Sequence, residues 1–256
     1  MTVRASDAER IRQIPLFRDM DDERFERLVA SGYLQRFPEH VELVHEGERP
    51  DFLHVIVEGA VEQYASHGDR ETTLSIIGPT AAFILAAVVL DQPYLKSART
   101  LKPSLIVLIP AEDVREVFEE DPAFARTTLR ELAARYRAIV KDLKNMRLRT
   151  GLERLASWIL RADADAGGTG EFMIPMEKRA LASQLGMRPE NLSRNLGELA
   201  RHGVKVNGRR IRIEKRAALE QLARPNPLID DPEGARPFLP TASERAKTSR
   251  KAKSSR

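Results

Sequence analysis

From residue 33 to residue 109 the chain sets short runs rich in Val, Ile and Leu between glycines. The runs fall at 41–44, 52–57, 61–64, 72–77 and 104–109, with Gly47, Gly59, Gly68 and Gly78 at turn-like positions. Several short strands at regular spacing predict a small β-barrel or β-roll. A charged stretch at 5–13 reads as a helix ahead of it, followed by a connecting segment at 14–30.

The period changes after Pro110. Residues 111–118 open a helical region, and Pro122 sits where a first helical turn tolerates proline. Leu129, Leu132, Tyr136, Ile139, Leu143 and Met146 follow at spacings of 3, 4, 3, 4 and 3, with Arg, Lys, Glu and Asp on the other faces. That is the a/d seam of a coiled-coil helix. A stripe this narrow suits a partner helix; packing against the chain's own β-domain is the alternative. The charged stretch 144–150 (KNMRLRT) ends the seam and is the expected hinge. A second helix over 151–162 carries Leu152, Leu155, Ala156, Ile159 and Leu160 on one face, with Trp158 beside it. The loop 163–170 (DADAGGTG) then leads into a short strand at 171–175.

From residue 177 the text is EKRALASQLGMRPENLSRNLGELARHGVKVNGRRIRI. Ala180, Leu181 and Leu185 form the apolar face of one helix, Gly186 permits a tight turn, and Pro189 starts a second helix that Leu192, Leu196 and Leu199 bury. Arg188, Glu190, Asn191, Ser193, Arg194 and Asn195 are left outward, where a helix in a major groove presents them to base edges. Arginine reads guanine with two hydrogen bonds, and glutamate accepts from cytosine. Residues 204–206 and 209–213 flank Asn207-Gly208, a two-residue type I′ turn signal, so a hairpin follows. Arg209, Arg210 and Arg212 stud it, which predicts a winged helix-turn-helix whose basic wing meets phosphates.

Composition narrows the picture. A chain of 256 residues with 42% hydrophobic content has room for two ordinary cores. No stretch reaches the length of an uncharged spanning helix, and the N-terminus has no apolar signal core, so no membrane and a cytoplasmic location are expected. With no cysteine, disulfides, thiolate zinc sites and cysteine-ligated iron–sulfur clusters are excluded. The net charge of +4 is unevenly spread: residues 1–146 carry 19 basic and 25 acidic side chains, 147–224 carry 16 and 9, and 225–256 carry 7 and 4. An acidic front joined to a basic second part fits a sensor coupled to a reader that must neutralise phosphates. No histidine pair at ligand spacing and no phosphate-cradling glycine loop is present, so no enzyme is expected.

The order of parts resembles the CRP/FNR superfamily of bacterial transcription factors over about residues 10–216. The resemblance implies an α+β chain: an N-terminal cyclic-nucleotide-binding-type β-roll (1–110), a long dimerisation helix and hinge (111–149), and a C-terminal winged helix-turn-helix (150–224). A basic, disordered tail (225–256) follows, either adding nonspecific DNA affinity or merely solvated. Glu190, Ser193 and Arg194 match the E-x-x-S-R motif of the FNR-like branch, which reads TTG…CAA inverted repeats. By that resemblance Arg194 meets guanine, Glu190 the opposing cytosine or adenine, and Ser193 a thymine or phosphate. Double-stranded DNA, a second copy in a homodimer, and RNA polymerase are the implied partners. Ligand binding in the β-roll would shift the long helices across the seam, and the hinge would re-aim the readers. A regulatory subunit acting on a partner protein would explain the β-roll but not the wing.

In cyclic-AMP-responsive members a glycine–glutamate pair holds the ribose and an arginine–serine pair the phosphate. Here Lys96 and Ser97 stand at the latter, while Leu85 and Ala86 replace the former. With Phe83, Ile84, Val88 and Val89 around them, the expected effector pocket is apolar and cyclic AMP is not its ligand. The stretch FILAAVVLDQPYLKSARTL together with RPENLSRNL is similar to the NnrR and DNR regulators, the nitric-oxide-responsive branch that controls denitrification genes. That likeness implies haem, which needs an axial ligand. His54, interrupting FLHVIV, is the candidate; a hydrogen-bonded core histidine is the plainer reading. His40 and His45 flank a strand, and His67 and His202 are weaker candidates. The alternative is a regulator with no effector, or a non-haem one, controlled by its expression level.

Overall fold

The computed structural model describes residues 3 and 5–231. Helices α1 (Ala5–Arg12) and α2 (Asp22–Ala30) come first. Asp21 caps α2 by accepting from the Arg24 amide, and Phe25, Leu28 and Val29 bury one face of it. A six-stranded antiparallel sheet follows, built from β1 (Tyr33–Phe37), β2 (Glu42–Val44), β3 (Phe52–His67), β4 (Arg70–Ile77), β5 (Ala81–Phe83) and β6 (Ser97–Pro110). Its path is β1-β6-β3-β4, with β2 also on β6 and β5 on β3.

Two expectations change here. Runs 52–57 and 61–64 are one strand, because Gly59 is not a turn: the β3–β6 register shifts around it, and its φ of +106° marks a bulge inside the strand. Residues 85–90, read within the strand region, form a helix, α3 (Leu85–Leu90), entered through Ile84 at φ +59°.

Helix α4 (Ala111–Glu120) precedes α5 (Pro122–Leu148), whose first turn is capped by Asp121 accepting from the Ala123 and Phe124 amides. Thr150 and Glu153 then form a reciprocal capping box that starts α6 (Gly151–Asp165), so the expected hinge is a helix end followed by a helix start. After it come β7 (Glu171–Met173), α7 (Lys178–Gln184), α8 (Pro189–Glu198), a 3₁₀ turn (Leu199–His202), β8 (Val204–Asn207), β9 (Arg210–Ile213), α9 (Arg216–Ala223) and α10 (Pro227–Asp230). Strands β7, β9 and β8 form a second sheet in that order.

The chain divides into two compact units, one running to Tyr136 and the other beginning at Arg137, so the boundary falls inside α5. Each has its own core. The first gathers Phe17, Leu53, Ile56, Ile77, Phe83, Ile106 and Phe124; the second gathers Leu155, Ile159, Leu181, Leu199 and Ile211. Among the described residues no helix is long and apolar enough to cross a membrane. The expected disordered tail starts folded: residues 225–231 include α10, and Ile229 is buried. The remainder of that tail lies outside the described residues.

Candidate nucleic-acid interface

Helices α7 and α8 meet across a turn in which the Gly186 amide donates to Ser183 O and the Met187 amide to Ala182 O. Gly186 has φ +61°, a conformation that favours glycine in the turn, and the flexible end of the Met146 side chain of α5 rests against it. Arg154 of α6 braces the turn from beneath: its Nε donates to Leu185 O at 2.9 Å and its Nη1 to Arg149 O at 2.7 Å.

Pro189 begins α8, and Leu192 and Leu196, with Leu199 just beyond its end, fill the core of the second unit. The opposite face carries Glu190, Ser193, Arg194 and Gly197 at positions i, i+3, i+4 and i+7, all exposed. Arg188 is exposed at the N-cap. Asn191 is half-buried and accepts from Arg194 Nη2 at 3.0 Å, which holds the guanidinium along the helix surface. Asn195 turns inward to Met187 Sδ and is not part of the outward set.

The hairpin forms with a shifted turn. Asn207 lies in β8 paired with Arg210, so the loop residues are Gly208 and Arg209, and only Gly208 has positive φ. Glycine at the first central position is the type II′ preference. Arg209 is occupied structurally: its Nε and Nη2 donate to Ile174 O at 3.0 and 2.8 Å, tying the wing to the end of β7. Arg210 pairs with Glu171 at 3.2 Å and Lys205 with Glu214 at 2.7 Å.

Between α8 and the wing runs an open groove of about 660 Å³, lined by Ser193, Gly197, Lys178, Lys205, Arg210 and Arg212 among others. Lys178 and Lys205 were not assigned from sequence to this site, whereas Arg212 was expected there as part of the basic wing. Lys178 stands in the charged text EKR ahead of an apolar run; its approach to the wing is tertiary and leaves no sequence signal.

In the first unit, Phe83, Ile84, Leu85 and Val88 are packed in the core, with Val89 against it, while Ala86 is exposed. Ser97 Oγ accepts from the Glu46 amide at 3.0 Å, and Lys96 Nζ donates to Gln63 Oε1 at 2.8 Å. Burial, and then the nearby Arg135, push the Lys96 amine down to about 8. Arg135, which sequence reasoning passed over, donates from Nη2 to Ala82 O at 2.6 Å while its Nε is buried without a partner. Neither cation has an ion pair with a carboxylate among the described residues. The residues expected to line an apolar pocket are thus packed as core, with two half-buried positive charges beside them.

His54 is buried, its ring centroid 5.0 Å from that of Phe83, and its Nδ1 has no partner among the described residues. Burial pushes it down to about 4, so it is neutral at physiological pH. A free neutral nitrogen suits iron chemically. The surroundings do not: Phe83 lies against the ring and is fully buried, so a macrocycle could reach it only by displacing the core. His40 is exposed, and His45 lies 3.7 Å from Glu42. Among the described residues no group of three or more His, Asp or Glu is arranged to hold a metal ion.

Along α5, Leu129, Tyr136, Ile139, Leu143 and Met146 form an exposed apolar stripe, with Tyr136 69% and Ile139 65% accessible. Leu132 differs: it packs partly buried against the core of the first unit.

Similarity to known proteins follows the same division. A family model described as a cyclic nucleotide-binding domain matches residues 34–121, and one described as a Crp-like helix-turn-helix domain matches residues 153–222. The chain is 24% identical over 185 residues to the fumarate and nitrate reduction regulatory protein of Escherichia coli K12, covering 69% of this chain and 73% of that one. A 111-residue stretch is 28% identical to potassium channel KAT3 of Arabidopsis thaliana, covering 43% of this chain but only 17% of the channel. In three dimensions it is similar to FixK2 of Bradyrhizobium japonicum, at TM-score 0.63 and 22% identity over 75% of this chain and 96% of that one.

Proposed function

The chain belongs to the CRP/FNR family of DNA-binding transcription regulators, not enzymes, and from that premise we propose that it reads a TTG-N-CAA-like inverted repeat as a homodimer. The outward face of α8 carries this reading: Glu190, Ser193 and Arg194 are exposed together on a helix whose other side is anchored in a core. Arg194 meets guanine, Glu190 accepts from the cytosine or adenine of the opposing strand, and Ser193 meets a thymine or phosphate. Lys178, Lys205, Arg210 and Arg212 supply phosphate contacts from the groove. The exposed α5 stripe is the seam along which two copies pair, placing two readers on successive half-sites, and RNA polymerase is the partner of the bound dimer.

For the effector, two readings stand side by side. Nitric oxide sensed through haem, with denitrification genes as targets, rests on the sequence likeness around residues 83–101 and 188–196. A non-haem, anionic small molecule is favoured by Lys96 and Arg135, two half-buried cations of which only Arg135 feels a carboxylate, Glu131, without a close ion pair, and by the poor fit of His54 to a macrocycle.

Gel retardation tests the first proposal. A TTG…CAA duplex should be retarded at concentrations where a scrambled duplex is not; equal retardation of both sinks sequence-specific reading. For the effector, titrating haem and recording the absorption spectrum separates the readings. A stoichiometric Soret band shifted by nitric oxide restores haem; no uptake leaves a non-haem effector or a regulator with no effector, controlled by its expression level.

A further inference from the structure

We infer that the segment 226–231, which lies beyond the residues matched by either family model, is a clamp that fixes the α5–α6 junction and thereby positions the recognition helix. The segment first shapes itself. Asn226 Oδ1 accepts from the Leu228 amide at 2.9 Å, the Asn226 amide donates to Asp230 Oδ2 at 2.7 Å, and Ile229 is buried.

It then grips one face of α5. Arg149 donates from Nη1 to Asp230 Oδ1 at 2.7 Å and from Nη2 to Asp230 Oδ2 at 2.6 Å, a two-point ion pair with side chains only 7% and 14% exposed. Lys141 Nζ donates to Asp231 O at 2.8 Å, Lys144 Nζ to Leu228 O at 3.3 Å, and Arg149 Nη2 also to Arg224 O at 3.2 Å. Lys141 and Asn145 stand one turn apart on the side of α5 away from Ile139, Leu143 and Met146, and Arg149, just past the helix end, donates back to Asn145 Oδ1 at 3.2 Å. The clamp and a pairing seam therefore use different faces of α5 and can be occupied together.

The contact is passed on. Arg149 O accepts from Arg154 Nη1, and Arg154 Nε holds Leu185 O in the turn that launches α8. Asp230, Arg149, Arg154 and the turn form one continuous set of contacts across the junction at Thr150. Asp230 and Arg149 are positioning residues: they act on the turn through Arg154.

The DNA arm of the test rests on the proposed reading of α8; the junction arm does not. Five forms of the chain are compared: full length, ended at Asp231, ended at Pro225, and full length with Asp230→Asn or Asp230→Glu. Ending at Asp231 removes the basic tail and keeps the clamp, so it controls for charge. Amide hydrogen exchange across residues 145–152 should quicken about tenfold or more in the chain ended at Pro225 and in D230N, and not in the chain ended at Asp231. Affinity for a TTG…CAA duplex should fall about tenfold in the same two forms, while affinity for scrambled DNA in D230N stays within twofold. Asp230→Glu, which keeps the carboxylate, should recover most of both. Unchanged exchange in D230N and in the chain ended at Pro225 overturns the clamp. Quickened exchange with unchanged specific affinity overturns its positioning role. If even the full chain fails to prefer the TTG…CAA duplex, the reading of α8 fails, and the exchange data alone decide the clamp.

Discussion

Glu171 of β7 accepts two hydrogen bonds on one oxygen from Arg212 of β9, from Nε at 3.1 Å and Nη2 at 2.9 Å, directly across the strand pair. Its other oxygen lies 3.2 Å from Arg210. One carboxylate thus screens two of the cations facing the groove beside α8. Glu171→Gln removes that charge, keeps a polar side chain, and leaves both arginines to phosphate. Expected is tighter binding to any duplex, by a few-fold at low salt, with the slope of log affinity against log salt steeper by about one unit. Equal slopes for the two proteins would show that the wing does not touch the backbone.

Arg194 lies against Asn191 in the free protein and must leave it to reach a base. Arg194→Ala should cost about 1–3 kcal/mol on the TTG…CAA duplex and relax discrimination at the guanine. Competition against duplexes substituted at that one pair checks it. A uniform loss on all sequences would mark Arg194 as a phosphate contact instead.

The α5 stripe supports a sharper test than its spacing alone allows. Ile139 and Leu143 are exposed, so glutamate at either costs the isolated chain little, whereas Leu132 is packed against the first core. Ile139→Glu with Leu143→Glu should yield a folded monomer by sedimentation, with specific DNA affinity lowered by a hundredfold or more. Leu132→Glu should destabilise the first unit itself, by about 2–4 kcal/mol. A double variant that still sediments as a dimer would place the interface elsewhere.

These contrasts show where the sequence was informative. Leu192, Leu196 and Leu199 announce the buried side of the recognition helix because one period specifies both the helix and its burial. Residues 85–90 (LAAVVL) are continuously apolar, and such a run fits a buried strand or a buried helix equally well, so its local text does not announce α3. Gly59 reads as a turn residue, yet its freedom is used for a bulge, a distinction made by the partner strand and not by the local text. The basic character of Arg209 is plain in the sequence, but its anchoring on Ile174 O depends on a strand 35 residues earlier. The clamp is illegible for a related reason: Pro225, Asn226, Pro227 and Asp230 have the composition of a loop, and only distant Arg149 and Lys141 give the segment its place.

Gly59 supplies a direct check on the bulge. A Cβ there would lie 2.5 Å from Ser104 Cα, on a backbone with φ +106° that L side chains rarely adopt. Gly59→Ala should therefore destabilise the first unit by about 3 kcal/mol or more, with no escape through side-chain rotation. Chemical denaturation measures it; a loss below about 1 kcal/mol would mean that residues 56–61 re-register.

His54 makes the stability of the first unit sensitive to acid. Burial holds its folded value at about 4, against about 6.5 in an unfolded chain. Between those values the unfolded chain binds a proton that the folded chain refuses, so stability falls as pH drops from about 6.5 to about 4. The whole window amounts to about 3 kcal/mol. His54→Leu removes both the titration and the unpartnered Nδ1, leaving an apolar side chain against Phe83. The variant should be at least as stable as the parent at pH 7.5, and the urea midpoint should shift less between pH 7.5 and pH 5 than it does for the parent. If both proteins lose stability equally over that range, the sensitivity belongs to other groups, and His54 has in the folded chain a partner able to carry its proton.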